Sequence, residues 1–249
     1  MSRLDPFSYV KGWSLAHRGL NCVYTQNNLS MAKINLDTEP RFKAMMKELG
    51  FIKTKGRFVK MHNDACLGLG FSYTSHNHVR YYYGSYHVNY PKIIELAESI
   101  GEYTWGPNGL IGYLMPQNTF IDWRLAENDS DDYYLSMVKD IIEAERLYVL
   151  PYIENLSTIR SFIEALESDA VHFSYDRKSV PIAYFLLGEK EKALKYIDNR
   201  LDKLAHDDEI GRPSETIIGE DYIKEVYYPQ ENKELIIYQE FAEKFKKVL

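Results

Sequence analysis

The sequence predicts an α+β fold, an antiparallel β-sheet of about five strands with flanking helices followed by an all-helical C-terminal part. Three observations predict it. The run from Arg57 to Tyr90, RFVKMHNDACLGLGFSYTSHNHVRYYYGSYHVNY, alternates with the period of sheet. Asn63-Asp64 and Ser75-His76-Asn77-His78 interrupt that run with turn chemistry suited to short antiparallel connections. Beyond Pro151 the apolar spacing changes to that of helices alone.

Residues 1–35 scatter Gly12, Gly19, Asn21 and Gln26 among apolar residues at no sustained period, which predicts a poorly structured arm. A second start-like run opens at Met31, so Met1 and Met31 both stand open as the natural start. Asp37 or Thr38 can cap a helix with Pro40 in its first turn; Phe42, Met45, Met46 and Leu49 share one face, and Gly50 stops it. A first strand follows around Arg57-Phe58. In the second, Ala65 to Tyr73, Leu67, Leu69, Phe71 and Tyr73 take one face while Cys66, Gly68, Gly70 and Ser72 take the other. Alternate glycines weaken a strand unless something packs closely over the bare face, and the tyrosines of the next strand, or a helix, are the natural covers. That strand, Val79 to Val88, carries aromatic residues on both faces, which predicts that both are at least half covered.

Pro91 opens a short helix closed by Gly101. Leu110 to Met115 and Thr119 to Leu125 read as further strands parted by Pro116-Gln117-Asn118. Asp129 or Ser130 then caps a long helix whose stripe runs through Tyr134, Met137, Val138, Ile141, Ile142 and Glu145. Helices are predicted over 157–166, 181–187, 190–204 and 233–248, with an acidic, glycine-containing loop from Asp207 to Gly219. The resulting organisation is an arm at 1–35, a sheet domain at 36–150 and a helical region at 151–249 docked on it. AYFLLGEKEKALKYI has the form of one tetratricopeptide-like helical hairpin, and a single copy cannot build a solenoid.

The chain has 249 residues, 45% hydrophobic and 27% charged, enough to bury a core without disulfides. Its two cysteines, Cys22 and Cys66, have neither CxxC nor metal-ligand spacing, which predicts a cytoplasmic location. No run approaches the length of a membrane span or the pattern of a secretory signal. With 30 basic against 36 acidic side chains, the net charge of −6 argues against nucleic acid as partner.

Lys47-Glu48-Leu49-Gly50-Phe51, the turn Lys53 to Gly56 before Arg57-Phe58, the aromatic hairpin, the break at Tyr148 to Tyr152 and the later Leu-Gly-Glu turn together resemble the domain-of-unknown-function family 4304, over roughly residues 38 to 204. The resemblance implies an uncharacterised bacterial cytoplasmic protein with no catalytic residues to carry over, in a layout suspected of neutralising toxins from neighbouring bacteria. The Tyr81-Tyr82-Tyr83 triplet and the N-terminal arm depart from that pattern.

His76 and His78, with His62, His87 or Cys66 in the sheet, are candidate zinc ligands, but no acidic partner flanks them and surface or sheet histidines are the expectation. Asp122 and Arg124 share a strand face with Phe120 and fit a buried pair, the polar end of a pocket walled by Trp123, or a solvent-facing pair with Trp123 and Leu125 in the core, and the last is the expectation. No GxSxG, GxGxxG or GxxxxGK[ST] motif occurs, so acyl transfer, dinucleotide binding and phosphate cradling lack their usual sequence support, and no cofactor is expected. Five tyrosines fall within positions 81–90, and tyrosine is enriched where proteins meet. The expectation is a non-enzymatic interaction or immunity-type protein, binding through an aromatic surface and the acidic loop Asp207-Asp208-Glu209 to a protein partner such as a basic toxin. The competing expectation is a small-molecule binder or hydrolase-like enzyme with a pocket between sheet and helical region. Tyr81, Tyr83, His87, Trp105, Asp122 and Arg124 are the candidate binding residues.

Overall fold

The structure, a computed structural model, describes residues 40–54, 57–126, 128–168, 173–206, 215–218, 223–226 and 232–249, with backbone only for 215–218 and 223–226. The expectations for the N-terminal arm, the helix cap at Asp37 or Thr38 and the Asp207-Glu209 surface lie outside these residues. The chain divides into two compact units, Met1–Lys92 with Trp105–Tyr175, and Ile93–Thr104 with Asp176–Leu249.

In the first unit, α1 (Pro40–Glu48) buries Phe42, Met45 and Met46 and ends at Gly50, whose φ of 80° suits a residue without a Cβ. An antiparallel meander follows: β1 (Ile52–Thr54), β2 (Arg57–His62), β3 (Ala65–His76) and β4 (Val79–Asn89). Asn63, at φ 48°, turns β2 into β3, and Asn77 and His78, both at positive φ, turn β3 into β4. The far edge of β4 is shared by two short strands, β5 (Asn108–Leu110) opposite Ser85–His87 and β6 (Trp123–Ala126) opposite Val79–Tyr82.

The register sorts the sheet into two faces. Phe58, Leu67, Leu69, Tyr82, Tyr86 and Val88 share the buried one. There Phe42 sits edge-on to both Phe58 and Phe71, at 5.3 and 5.0 Å between ring centroids. Tyr90, following β4, stacks on Phe162 at 5.4 Å and donates its hydroxyl to the Leu156 carbonyl at 2.5 Å. The β2–β3 turn is tied to the same region: Asn63 Nδ2 donates to Ser157 Oγ at 2.8 Å, and Asp64 accepts from the Ile159 amide at 3.2 Å. That amide opens α5 (Ile159–Glu167), where a carboxylate complements the helix dipole.

Where strands were expected over 110–115 and 119–125, the structure has β5, a 3-10 turn (Ile111–Leu114) and only the last four-residue stretch, β6. Gly112 explains the departure. It lies so close to the backbone of Thr119 and Ile121 that a Cβ would collide with them, so the segment folds on itself instead of extending. Ser130 caps α3 (Asp131–Ala144) by accepting from the Tyr133 amide. The helix does not stop at Ala144; it passes through one π-helical turn (Glu145–Val149) into α4 (Leu150–Asn155), with Pro151 in the first turn of the resumed helix, where its missing N–H is tolerated.

In the second unit, the residues of α2 (Pro91–Ser99) from Ile93 onward accompany α6 (Ser179–Leu186), α7 (Lys190–His206) and α8 (Lys233–Lys246). α6 and α7 form the expected hairpin about Gly188, with Ala183 and Ala193 fully buried. Phe185, Phe241 and Phe245 pack between α6 and α8. The Glu102 carboxylate accepts from Lys178 at 3.1 Å and Lys244 at 2.5 Å. Burial pulls this carboxyl upward, but the two lysines outweigh it and hold it below the ordinary carboxylate range. The expectation of helices alone beyond Pro151 is corrected by a hairpin of β7 (Glu215–Ile218) and β8 (Ile223–Val226). No helix among the described residues is long and apolar enough to cross a membrane.

Candidate functional site

The second face of the sheet is the chemically varied one. Arg57 on β2, Gly68, Gly70 and Ser72 on β3, and Tyr81, Tyr83, Ser85 and His87 on β4 all lie on it, as does Asn108 on β5. Because Gly70, Ser72 and Ser85 are small, the middle of this face is a floor rather than a packed layer. A trough of about 720 Å³ runs across it, walled by Tyr83, Tyr113 and Phe173 and lined further by Arg57, His87 and Asn118. At the far end Asn108 forms an antiparallel bridge with Ser174, and Phe173 and Tyr175 meet edge to face at 5.8 Å.

His87 is the sharpest local feature. Its ring lies over Gly68, directly opposite on β3, in space a Cβ there would occupy. The facing strand therefore covers the glycine face at Gly68, and the covering side chain is His87, where a tyrosine or a helix was expected. On the other face Gly84 makes the corresponding room for Ile111. Burial, reinforced by the Arg57 charge, pushes the His87 imidazole down to about 3, so it is neutral across the physiological range. Burial also raises Tyr86, whose ring meets that of Tyr152 at 5.7 Å, and lifts the Cys66 thiol to about 11.

Among the described residues the lining carries one arginine, a neutral histidine, tyrosines, serines and asparagines, and no Asp or Glu. Such a lining brings hydrogen-bonding groups and ring faces together in one trough. Beside it the surface is aromatic: Tyr113 and Phe120 are 44% and 48% exposed, and the rings of Tyr83 and Phe120 lie 6.0 Å apart.

Of the six residues singled out from the sequence, Tyr83 and His87 line the trough. Tyr81 and Arg124 face each other across β4 and β6 on the same side of the sheet. Asp122 is exposed just before β6, and Trp105 is half-buried before β5; neither lines the trough. Of the wider tyrosine set, Tyr82 and Tyr86 are core residues. His76 and His78 are exposed at the β3–β4 turn, and no group of three or more His, Cys, Asp or Glu converges among the described residues.

Sequence reasoning missed Arg57, Asn108 and Phe173, which reach the trough from separate parts of the chain. It also missed Glu145, placed on the apolar stripe of the long helix. That carboxyl is fully buried, neither oxygen has a hydrogen-bond partner, and burial raises it to about 8. An acidic residue three and four positions after Ile142 and Ile141 was the available signal. No protein-family profile, curated protein or solved structure matches the chain.

Proposed function

We propose that this is a non-enzymatic recognition protein that binds a protein partner through the trough-bearing face of its sheet and acts by occlusion. The observation that carries this reading is the half-open, aromatic-walled trough, flanked by the exposed rings of Tyr113 and Phe120. Tyrosine and phenylalanine there present apolar area at low entropic cost, the property that makes such residues anchors of interfaces. The histidine in the trough is held neutral far from its usual range, which suits packing and orientation better than proton transfer at neutral pH. A toxin-neutralising role is what the family resemblance adds. Among the described residues the trough holds no carboxylate, so it offers a basic segment of such a partner no opposite charge.

Capture of partners from native lysate with the full chain, in parallel with a Tyr113→Ser/Phe120→Ser variant, tests the reading. The same identified protein should be enriched with the wild type and lost with the equally stable variant. Equal recovery by both, or by neither, argues against it. A small-molecule role is the second reading, favoured by a volume within the range of ligand pockets, roughly 300–1,000 Å³. A metabolite that co-purifies with the wild type and is lost in Tyr83→Ala would support that role instead.

A further inference from the structure

Glu145 sits where a carboxylate is most strongly disfavoured. It is fully buried, and neither of its oxygens has a hydrogen-bond partner among the described residues. In such a place the ionised form stands only if donors or a cation meet it. The residue also opens the π-helical turn between α3 and α4, where the Leu150 amide donates to the Glu145 carbonyl five residues back. A π turn spans one residue more per hydrogen bond than the α-helix on either side, so it is the point at which the helix can change register. Such turns are rare and recur at functional sites.

Against this turn lies the 3-10 turn Ile111–Leu114. Its first residue, Ile111, fills the room left by Gly84 on β4, and Tyr113 is a wall of the trough. These four residues therefore link the turn that Glu145 opens to the recognition face.

No charged neighbour compensates the carboxyl, whose ionisation is opposed by burial alone. The 3-10 turn brings only Tyr113, and the helix itself brings Tyr148 and Tyr152. Every Asp, Glu, Lys and Arg of α1, β6, α3 and the π turn other than Glu145 is exposed. On α4, Glu154 pairs with Lys60 at 3.2 Å. On β4, Tyr86 meets Tyr152, Arg80 lies 5.1 Å from the centre of the Tyr73 ring, and His87 takes the opposite face.

We propose that Glu145 is a proton-operated latch for the recognition face: with its proton it keeps the π turn packed against the 3-10 turn and Tyr113 at the trough, and without it the π turn yields to bring the carboxylate to water and releases Tyr113. This rests on the recognition reading above and names its regulation. The folded carboxyl is held up to about 8, so its protonated share falls about tenfold between pH 7 and pH 9, and a partner that requires the latched form loses affinity by the same factor.

The test uses the full chain with isotope-labelled isoleucine, leucine and glutamate, followed by NMR from about pH 6 to about pH 9. The reporters are the methyl groups of Ile111 and Leu114, which flank Tyr113 and do not titrate themselves. The Glu145 carboxyl signal is assigned by its disappearance in Glu145→Gln. Both methyls should shift with the midpoint of the Glu145 carboxyl, near 8, while the methyl spectrum as a whole keeps its dispersion. In Glu145→Gln they should stay at their low-pH positions throughout. Methyls that stay fixed while the carboxyl titrates, a carboxyl that titrates near its ordinary 4.5, or a shift that persists in Glu145→Gln would each overturn the latch. Loss of dispersion at the same midpoint would overturn it too, as unfolding of the whole chain. No partner enters this test, so failure of the recognition reading leaves its outcome unchanged.

Discussion

Replacing Glu145 with glutamine should make the protein more stable, and the gain should grow with pH. In the folded chain this carboxyl is fully buried, has no hydrogen-bond partner for either oxygen, and is raised to about 8; in the unfolded chain it titrates near 4.5. Below about pH 4.5 both states hold the proton and the site carries no ionisation penalty. As pH rises, the unfolded chain releases the proton while the folded chain keeps it, so stability falls by about 1.4 kcal/mol per pH unit until the folded carboxyl also ionises near pH 8. His87 acts in the opposite sense. Held down at about 3, it adds stability as pH rises from 3 through the ordinary histidine range, and by about pH 6.5 that contribution is complete. His87 adds no further slope in the window from about 6.5 to 8, where the loss expected from Glu145 is about 2 kcal/mol. Urea unfolding followed by circular dichroism at half-unit intervals would measure it. Glu145→Gln, which cannot ionise, should remove this slope and gain about 3 kcal/mol at pH 7. A wild-type stability that is flat from pH 6.5 to 8, or a Gln variant less stable than wild type at pH 8, would refute the reasoning.

Gly68→Ala places a methyl group where the His87 ring lies, and should cost about 1–3 kcal/mol in chemical denaturation while shifting the His87 side-chain resonances. Phe162→Ala empties a fully buried site that stacks on Tyr90, and should cost about 3–5 kcal/mol, read as a lowered urea midpoint. Glu102→Gln removes the anion between Lys178 and Lys244 and should cost about 1–3 kcal/mol at pH 7. Because the Glu102 carboxyl is depressed, its contribution is present above the ordinary carboxylate range and is lost as pH falls through the folded value, so wild type and variant should converge in acid melts.

The hairpins around β2, β3 and β4 were legible because alternation and turn residues are local signals, and Asn63 and Asn77 occupy the left-handed conformations their side chains tolerate. The glycine face of β3 was legible for the same reason, but its cover at Gly68 is His87 where a tyrosine or a helix was expected. The segment after β5 was not, since its fold depends on Gly112 meeting Thr119 and Ile121 across a turn, a contact no periodicity encodes. β7 and β8 were missed because strands of four residues are too short to establish a period beside acidic and glycine-containing sequence. Tyr83 and His87 were found by composition and alternation. Arg57, Asn108 and Phe173 join them only through the sheet's register and the Asn108–Ser174 bridge, which sequence order does not reveal.

The proposed recognition depends on the trough-bearing face of the sheet, and hydrogen exchange on the full chain with a bound partner addresses it most directly. Slowed exchange in 83–87, accompanied by protection at 108–113, is the predicted result. A tightly bound partner that leaves both segments exchanging as in the free protein would contradict it.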